Sequence, residues 1–417
     1  MKAARASAFV AATAIVLAAC GSSSSGSGHA SAGTSGGTTA SSRNYKPIRA
    51  GPIVLGVSVP LSGPTAAFGI GTKLGFQVAL RSFDAAHPDG IDGHRVEIKI
   101  LDDGGDVTKA VRVAEDLSAD HVAAVVTVTY NPAAADQQLA VFNKNRIPVI
   151  ATLPGPQYAD TSAWPYDFGI GAQQQQQGLV AARYIAAKGY TRVATLTDGI
   201  PTDVSAVQQI TESMKRLAPH ARVVKALTVP PGSVDLSVAV AQLRSANPQL
   251  LIAILGFAHG PLWSAMRSAR FAPQLMVDPG AWYDGFSAMG PLAKGAVTPY
   301  LDCADSAAQM LPPATTALMT MYEAVTGDAG VDYLTYVAND TVPLELARYA
   351  IGKYHSTDPD AMKAALESMP RMNFYGLTYR FSATNHVGAT AIYGPAVCNM
   401  GAPYAGGRAK VPVKAKA

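Results

Sequence analysis

The chain has 417 residues, of which 48% are apolar and 15% are charged, and its formal net charge is +4. A chain of this length and apolar content can form two domains of ordinary size, each with its own hydrophobic core. The small net charge and the lack of a Lys/Arg cluster in the central region argue against a nucleic-acid partner.

Residues 1–20 have the pattern of an export signal. Lys2 and Arg5 precede the apolar run Ala8–Ala19, which is shorter than a membrane-spanning helix. The run ends in the sequence LAAC at Cys20, which resembles the bacterial lipobox. This resemblance implies cleavage before Cys20 and attachment of a diacylglycerol to its thiol. The alternative is an ordinary secretory signal that contains a cysteine by chance.

Residues 21–50 consist largely of Ser, Gly, Thr and Ala, and this composition predicts a flexible tether. Residues 403–417 form a short basic tail, which we predict to be disordered. No later segment is apolar for long enough to span a bilayer. We therefore expect a globular protein that is lipid-anchored at the outer face of the cell membrane.

A strand, a tight turn and a helix open the folded region. Ile53–Val59 is rich in β-branched residues and predicts a buried parallel strand. The segment Pro60–Pro64 predicts a turn, and apolar residues at helical spacing follow from Ala66 to Leu80. The start of this helix offers unpaired N–H groups to an acidic or carbonyl oxygen of a ligand. The alternative is an ordinary βα unit without a ligand.

Strands and helices then alternate in two successive runs that meet near Phe168. Such alternation predicts parallel sheets covered by helices, with ligands bound beyond the carboxyl ends of the strands. The predicted strands are Val54–Val59, Val96–Leu101, Val122–Val128, Pro148–Ala151, Arg192–Thr197, Val223–Leu227, Leu250–Leu255 and Gln274–Val277. The pattern changes near the end of the chain, where we predict a helix over Asp360–Met369 capped by Asp360, and a hairpin of Tyr375–Phe381 with Ala391–Val397.

Three stretches carry a resemblance to a known family: PLSGPTAAFG after the first strand, VEIKILDDGGD, and FGIGAQQQQQGLVAARYIAAKGYTRVATLTD. They resemble the periplasmic receptors of branched-chain amino acid ABC transporters, which are type I solute-binding proteins. The likeness runs from about Val54 to Cys398. It implies an α/β fold of two doubly wound, Rossmann-like lobes joined by a three-strand hinge. Lobe 1 would comprise residues 51–170 and 298–372, and lobe 2 residues 171–297 and 373–402.

The resemblance also implies a function. We expect an extracytoplasmic, monomeric receptor that closes on a small molecule and is then recognised by an ABC permease in the membrane. A cell-envelope sensor with the same fold, which signals to a partner protein, is the alternative. An exported hydrolase is disfavoured because no nucleophile–base–orienter set can be assembled from the sequence.

Motifs for cofactors and metals are weak. Gly69–Gly75 has the spacing G-x-G-x-x-x-G, which is not the dinucleotide fingerprint, and the eight histidines lack the spacing of metal ligands. Asp102, Asp103 and Asp106 could suggest a cation site, but turn and helix-capping roles are favoured. We predict no catalytic residues, no cofactor and no metal.

Three cysteines are present, and Cys20 is assigned to the lipid. Cys303 and Cys398 remain as an even pair in an oxidising compartment. They would either form a disulfide that ties the hinge side to the C-terminal strand or remain two separate buried thiols.

The resemblance assigns a ligand pocket residue by residue. Phe68 matches an aromatic that packs on the substrate side chain, and the loops after the third and fourth strands match those that hold the substrate carboxylate. Those loops lack the Ser-Ser and Ala-Thr patterns of the family, and Asp278 is the only local candidate for the acid that holds the ammonium. The full candidate set is Phe68, Tyr130, Asn131, Thr152, Pro154, Thr202, Asp203, His259, Asp278, Trp282 and Tyr333.

The lack of these family patterns predicts a ligand other than a branched-chain amino acid. An α-amino acid needs donors for its carboxylate and an acid for its ammonium, because buried charges must be paired. We therefore expect a small amide, an aromatic or carboxylic acid, or another weakly polar metabolite in place of leucine, isoleucine or valine. The alternative for each aromatic of the set is an ordinary core residue.

Overall fold

The computed structural model describes residues 44–63, 65–129, 131–152, 158, 160–171, 174–256, 259–278, 290–293, 296–300, 321, 333–374, 377–388, 396–399, 404–405 and 408–409. Several predicted features lie outside these residues: the export signal with Cys20, nearly all of the tether, Tyr130, Pro154, Trp282 and Cys303. The side chains of Tyr333 and Cys398 also lie outside the described part, although both backbones belong to regular elements.

The first sheet has five parallel strands in the order β2-β1-β3-β4-β5. The strands are β1 (Ile53–Val59), β2 (Val96–Asp102), β3 (Ala124–Thr127), β4 (Val149–Ala151) and β5 (Asp167–Gly169). Three helices connect the first four of them: α1 (Ala66–Ala86), α2 (Val107–Ala119) and α3 (Pro132–Lys144). The apolar runs of β1 and β3 are buried almost throughout, as is typical of strands covered on both faces.

The second sheet has six strands in the order β13-β10-β9-β8-β6-β7. The strands are β6 (Arg192–Thr197), β7 (Arg222–Thr228), β8 (Leu250–Ile254), β9 (Gln274–Val277), β10 (Val297–Tyr300) and β13 (Ala396–Asn399). All pairings are parallel except that of β10 with β13. The helices of this lobe are α4 (Gln174–Lys188), α5 (Pro201–Leu217), α6 (Ser237–Ser245) and α7 (His259–Ser268), and a short 3-10 helix spans Gly290–Ala293.

The later part of the chain contributes to both lobes. Its elements are α8 (Tyr333–Tyr354), α9 (Pro359–Glu367), β11 (Met372–Phe374), β12 (Leu377–Tyr379), and the short strands β14 (Tyr404–Ala405) and β15 (Arg408–Ala409). Helix α8 packs on α1 and α9, and its apolar side chains join those of β1 in one core. Because β13 then pairs with β10, the chain returns to the second sheet after building part of the first lobe.

The fold class predicted from the sequence is confirmed: the chain forms two parallel-sheet α/β lobes. The predicted hairpin of Tyr375–Phe381 with Ala391–Val397 is wrong, because β12 pairs with β11 and β13 pairs with β10. Helix α9 begins one residue before Asp360, and its N-cap is Asp358, which accepts a hydrogen bond from the Asp360 N–H. No helix in the described ranges is both long and apolar enough to cross a membrane.

Gly75 allows α1 and α8 to pack closely. A Cβ atom built on Gly75 would lie 1.7 Å from Oδ2 of Asp340, which is on α8 and is 1% exposed. Among the described residues, this Oδ2 has no hydrogen-bond partner, and burial raises the pKa of the Asp340 carboxyl well above its usual value. Burial thus favours the neutral form of this carboxyl, which needs the space that glycine leaves.

We predict that Gly75→Ala destabilises the protein by about 1–3 kcal/mol, the usual cost of overpacking a core. The free energy of unfolding would be measured by urea titration. Gly352→Ala on α8 is the matched control, because a Cβ atom at that helical glycine would meet nothing within 4 Å. Adding Asp340→Ala should relieve much of the defect of Gly75→Ala, and a defect that is simply additive in the double variant would contradict this packing account.

Candidate functional site

Each sheet has a topological switch point, where neighbouring strands continue in opposite directions across the sheet. In the first sheet it lies between β1 and β3, and in the second between β6 and β8. Ligands of open α/β sheets bind outside the carboxyl ends of the strands at this point.

Asp102, the last residue of β2, ties the loop after β1 in place. Its Oδ1 accepts the N–H groups of Leu61 (2.8 Å), Ser62 (3.1 Å) and Gly104 (2.9 Å), and its Oδ2 accepts the Ser62 hydroxyl at 2.7 Å. Nζ of Lys109 lies 3.7 Å from the same Oδ2. Burial alone would raise the pKa of Asp102, but these hydrogen bonds and the lysine charge outweigh it and lower the pKa.

Asp103 holds a second buried network beneath the same edge. It accepts the Ser58 hydroxyl at 2.8 Å and the Gly105 N–H at 2.8 Å, and Nε2 of Gln138 donates to the Ser58 hydroxyl at 2.7 Å. Burial raises the pKa of the Asp103 carboxyl in spite of these bonds. The turn role predicted for Asp102 and Asp103 is thus observed, and Asp106 caps α2 by accepting the Lys109 N–H.

Asn131, a predicted ligand residue, is the N-cap of α3. Its side-chain oxygen accepts the N–H groups of Ala133 and Ala134, and its amide nitrogen donates to the Gly105 carbonyl at 2.9 Å. The amide thereby links the loops after β2 and β3. In this structure its hydrogen bonds hold loops together, which explains why a polar residue occurs there without requiring a ligand.

Two other predicted residues of the first lobe are buried at this edge. Phe68 lies in the first turn of α1, is 5% exposed and packs with Val57, Val59 and Phe76. Thr152 follows β4, is 2% exposed, and its hydroxyl is 3.5 Å from the Thr127 carbonyl. The first edge therefore combines fixed loops with an aromatic side chain and hydroxyl groups.

The second edge is acidic. Asp198 follows β6 directly and is 2% exposed, and Asp203 lies in the first turn of α5. Oδ1 of Asp198 accepts the Ile200 N–H at 3.0 Å, and Oδ1 of Asp203 is 3.4 Å from the Thr202 hydroxyl. A Cβ atom built on Gly256, just after β8, would lie 3.3 Å from Oδ2 of Asp203 and 3.9 Å from Oδ2 of Asp198. Both oxygens thus face one small space over Gly256.

The two carboxyls influence each other's ionisation. Burial raises the pKa of Asp203 well above its usual value, and the charges of Asp278 and Asp198 raise it further. Burial also raises the pKa of Asp198, while hydrogen bonds from Ile200 and Asp203 work in the opposite direction. The arrangement favours a protonated Asp203 that donates to an ionised Asp198.

Asp278, which follows β9, accepts one backbone hydrogen bond and lies beside a buried histidine. Its Oδ2 accepts the Leu255 N–H at 2.9 Å and lies 3.1 Å from Nε2 of His259. His259 begins α7, is fully buried, and stacks on Trp263 with ring centroids 5.4 Å apart. Because His259 is buried behind this carboxylate, it supports Asp278.

The structure therefore brings Asp203, His259 and Asp278 together at one edge, with Thr202 beside Asp203. Sequence reasoning missed Asp198 and Gly256. The signal available was an acidic residue directly after β6 and a glycine two residues after β8, the two strands that flank a switch point. No group of three or more His, Cys, Asp or Glu side chains in the described part of the chain could hold a metal ion.

Two doubly wound lobes with their polar loops at the carboxyl ends of both sheets define the type I periplasmic binding protein fold. The chain belongs to the periplasmic binding protein family, whose model matches residues 52–395. The family resemblance inferred from the sequence is thus confirmed.

The individual curated relatives share low sequence identity with this chain. Leu/Ile/Val-binding protein homolog 1 of Brucella abortus (strain 2308) is 27% identical over 199 residues, which are 47% of this chain and 52% of that protein. The chain thus spans about half the length of the curated relatives it matches.

Solved structures share the fold at low identity. An ABC transporter solute-binding protein from R. palustris, in complex with 4-hydroxybenzoate, has a TM-score of 0.71 and 17% identity, covering 87% of this chain and 95% of that one. A leucine binding protein from Thermotoga maritima MSB8 has a TM-score of 0.68 and 17% identity, covering 83% and 94%.

We predict that Asp102→Ala lowers the free energy of unfolding by about 1.5–3 kcal/mol near neutral pH, because it removes hydrogen bonds to a charged group. Asp106→Ala, which removes one helix cap on the same loop, should cost only about 1 kcal/mol. Since the folded-state pKa of Asp102 is depressed, its contribution is present above the unfolded value of 3.8 and is lost as the pH falls through the folded pKa. Urea titrations at pH 7 and pH 3 would test this, and an undiminished difference at pH 3 would contradict it.

Proposed function

We propose that the protein is an extracytoplasmic solute receptor that closes its two lobes on a small molecule and delivers it to an ABC import permease. The observation that carries this proposal is the presence of two separate doubly wound sheets, each with polar side chains gathered at its switch point. A ligand held by one edge can recruit contacts from the other, which shifts the population from open to closed.

The chain crosses between the lobes where closure would require bending. Gly169 ends β5 and lies beside Val387 in a parallel bridge. The Gly169 N–H donates to the His386 carbonyl at 2.9 Å, and the Gly388 N–H donates to the Gly169 carbonyl at 2.8 Å. Two crossing segments that are bonded side by side suit a hinge, because they bend together and keep the lobes in register.

The relatives differ in what their names and titles give as ligand: leucine for the T. maritima protein and 4-hydroxybenzoate for the R. palustris protein. For this chain we propose a small solute other than leucine, isoleucine or valine. The side-chain oxygen of Asn131 caps α3 and its amide nitrogen donates to the Gly105 carbonyl, which disfavours the carboxylate-binding role that the resemblance suggested. A ligand carboxylate pointing at the acidic second edge would be repelled, so an acid group would have to face the first edge.

A thermal-shift screen would test the receptor function. We expect at least one small amide, amine or aromatic acid to raise the melting temperature, because a ligand that binds only the folded state adds RT ln(1 + [L]/Kd) to its stability. Leucine, isoleucine and valine should give the smallest shifts, since losing one charge-assisted partner costs about 1.5–3 kcal/mol, on the order of ten- to a hundred-fold in affinity. Micromolar leucine binding by calorimetry would contradict the ligand proposal, and a screen without any stabilising solute would contradict the receptor function.

We also propose that Cys20 carries the lipid that tethers the receptor to the membrane, because it ends the lipobox-like sequence LAAC. A diacylglycerol on Cys20 supplies more than one acyl chain, as stable anchoring requires. Mass spectrometry of the N-terminal peptide from the native host should find an acylated Cys20, and Cys20→Ala should release the protein from the membrane fraction. A native N-terminus at any other residue would contradict lipidation.

A further inference from the structure

We infer that Gln138, on α3, is a positioning residue that closes a ring of hydrogen bonds and thereby fixes the carboxyl edge of the first sheet. The ring joins β1, the loop after β2 and the N-terminal part of α3, which lie on the two sides of the switch point of that sheet. The inference rests on the receptor function proposed above, because a ligand at the switch point would meet loops whose positions the ring has already set.

The first half of the ring runs from α3 to the loop after β2. Nε2 of Gln138 donates to the Ser58 hydroxyl at 2.7 Å, and that hydroxyl donates to Oδ2 of Asp103 at 2.8 Å. The other carboxylate oxygen of Asp103, Oδ1, accepts the Gly105 N–H at 2.8 Å. Gln138, Ser58 and Asp103 are fully buried, so water does not compete for these hydrogen bonds.

The second half of the ring returns from that loop to α3. The Gly105 carbonyl accepts the side-chain N–H of Asn131 at 2.9 Å, and the side-chain oxygen of Asn131 caps α3 by accepting the N–H groups of Ala133 and Ala134. Gln138 lies on the same helix, about two turns after Asn131. Helix α3 is therefore tied across the switch point at two places, once at its N-cap and once about two turns further on.

The loop after β2 needs this support because two consecutive residues in it have positive φ. The φ angle is +60° for Gly104 and +64° for Gly105, a conformation that glycine adopts at the cost of a large loss of backbone freedom on folding. The ring binds both the N–H and the carbonyl of Gly105. The two peptide groups that flank Gly105 therefore cannot turn over without breaking a hydrogen bond of the ring.

The cost of burying Gln138 indicates that stability alone does not explain a glutamine at this position. Its side-chain oxygen, Oε1, is buried and has no hydrogen-bond partner among the described residues. A buried polar atom without a partner costs free energy, which an apolar side chain of similar volume would avoid. An apolar side chain could not donate to the Ser58 hydroxyl, however, and the ring would then be open. The residue type therefore fits a positioning role.

The test is hydrogen-exchange mass spectrometry of the ligand-free, full-length protein. Gln138→Met keeps the approximate volume of the side chain and removes its amide. We expect it to speed exchange in peptides that cover residues 103–106 and 131–134 by about five-fold or more, since local opening no longer breaks the Gln138 hydrogen bond. The midpoint of urea unfolding should change little. Gln137→Met is the matched control, because Gln137 is the exposed neighbour on the same helix, and it should leave exchange unchanged.

A second variant opens the ring at the half-buried Asn131. Asn131→Ser keeps a good capping oxygen for α3 but removes the amide that donates to Gly105. It should also speed exchange over residues 103–106. With Gln138→Met added, exchange should be slower than the product of the two single effects predicts, because a ring that is already open loses less when it is opened again. The two residues are about 10 Å apart along the helix axis, so direct contact would not explain this coupling.

Several results would overturn the inference. Equal exchange in Gln138→Met and Gln137→Met would remove the positioning role, and faster exchange throughout the first lobe with a lower urea midpoint would make Gln138 an ordinary core residue. Effects that simply multiply in the double variant would indicate two separate contacts. If Gln138→Met does not fold by circular dichroism, Ser58→Ala, which removes the hydroxyl that Gln138 holds, takes its place with the same expected result. No ligand is used, so these outcomes are independent of the receptor function, which the thermal-shift screen judges.

Discussion

A carboxylate at the carboxyl edge of a parallel sheet must either accept hydrogen bonds or become protonated, and this constraint organises both carboxyl edges of the protein. Asp102 receives three backbone N–H groups and a hydroxyl, and its pKa falls. Asp203 receives little, and its pKa rises. The same residue type therefore fixes the loops of one lobe and leaves acceptor capacity in the other.

The difference between the edges bears on how the receptor would bind. Around the first edge, Asp102, Asp103 and Asn131 tie together the loops after β1, β2 and β3, so little conformational entropy remains to be lost there. At the second edge, the buried Oδ2 of Asp203 accepts no hydrogen bond from an N–H group of the described residues and lies near Gly256. A rigid first lobe and a polar, unsatisfied second lobe suit a mechanism in which the ligand completes the second edge as the lobes close.

Buried contacts of His386 fix the segments that cross between the two lobes. His386 is fully buried, stacks on Phe168 with centroids 4.1 Å apart, and its Nδ1 lies 2.9 Å from the Asp167 carbonyl. Its Nε2 lies 3.2 Å from Glu367 on α9. These contacts hold the two crossing segments to the first lobe, so bending would be confined to the few residues between them and the second sheet.

Much of the fold could be predicted because long β-branched runs and helical spacing are local signals. Arg192–Thr197 and Gln274–Val277 were predicted with their observed bounds, and the other predicted strands of the two alternating runs lie within a few residues of the observed ones. The three-residue strand β5 was missed because Asp167 and Gly169 carry no strand pattern. The hairpin was wrongly paired because alternation identifies a strand and not its partner, which tertiary contacts decide.

The candidate site was less predictable, for a similar reason. Asp203 and Asp278 were found through a family pattern, but the role of His259 depends on its burial and on its distance from Asp278, which no local pattern encodes. Asp198 was overlooked because an acid after a strand usually serves a turn, as Asp102 does here. Only the shared space over Gly256 distinguishes the two cases.

The central claim is that one ligand bridges the carboxyl edges of both sheets. Hydrogen-exchange mass spectrometry with and without a solute that stabilises the protein tests it most directly. The account predicts slower exchange in the loops after β1 and β3 of the first sheet and, at the same ligand concentrations, in the loops after β6 and β8 of the second. Protection confined to one lobe, or located away from both carboxyl edges, would contradict it.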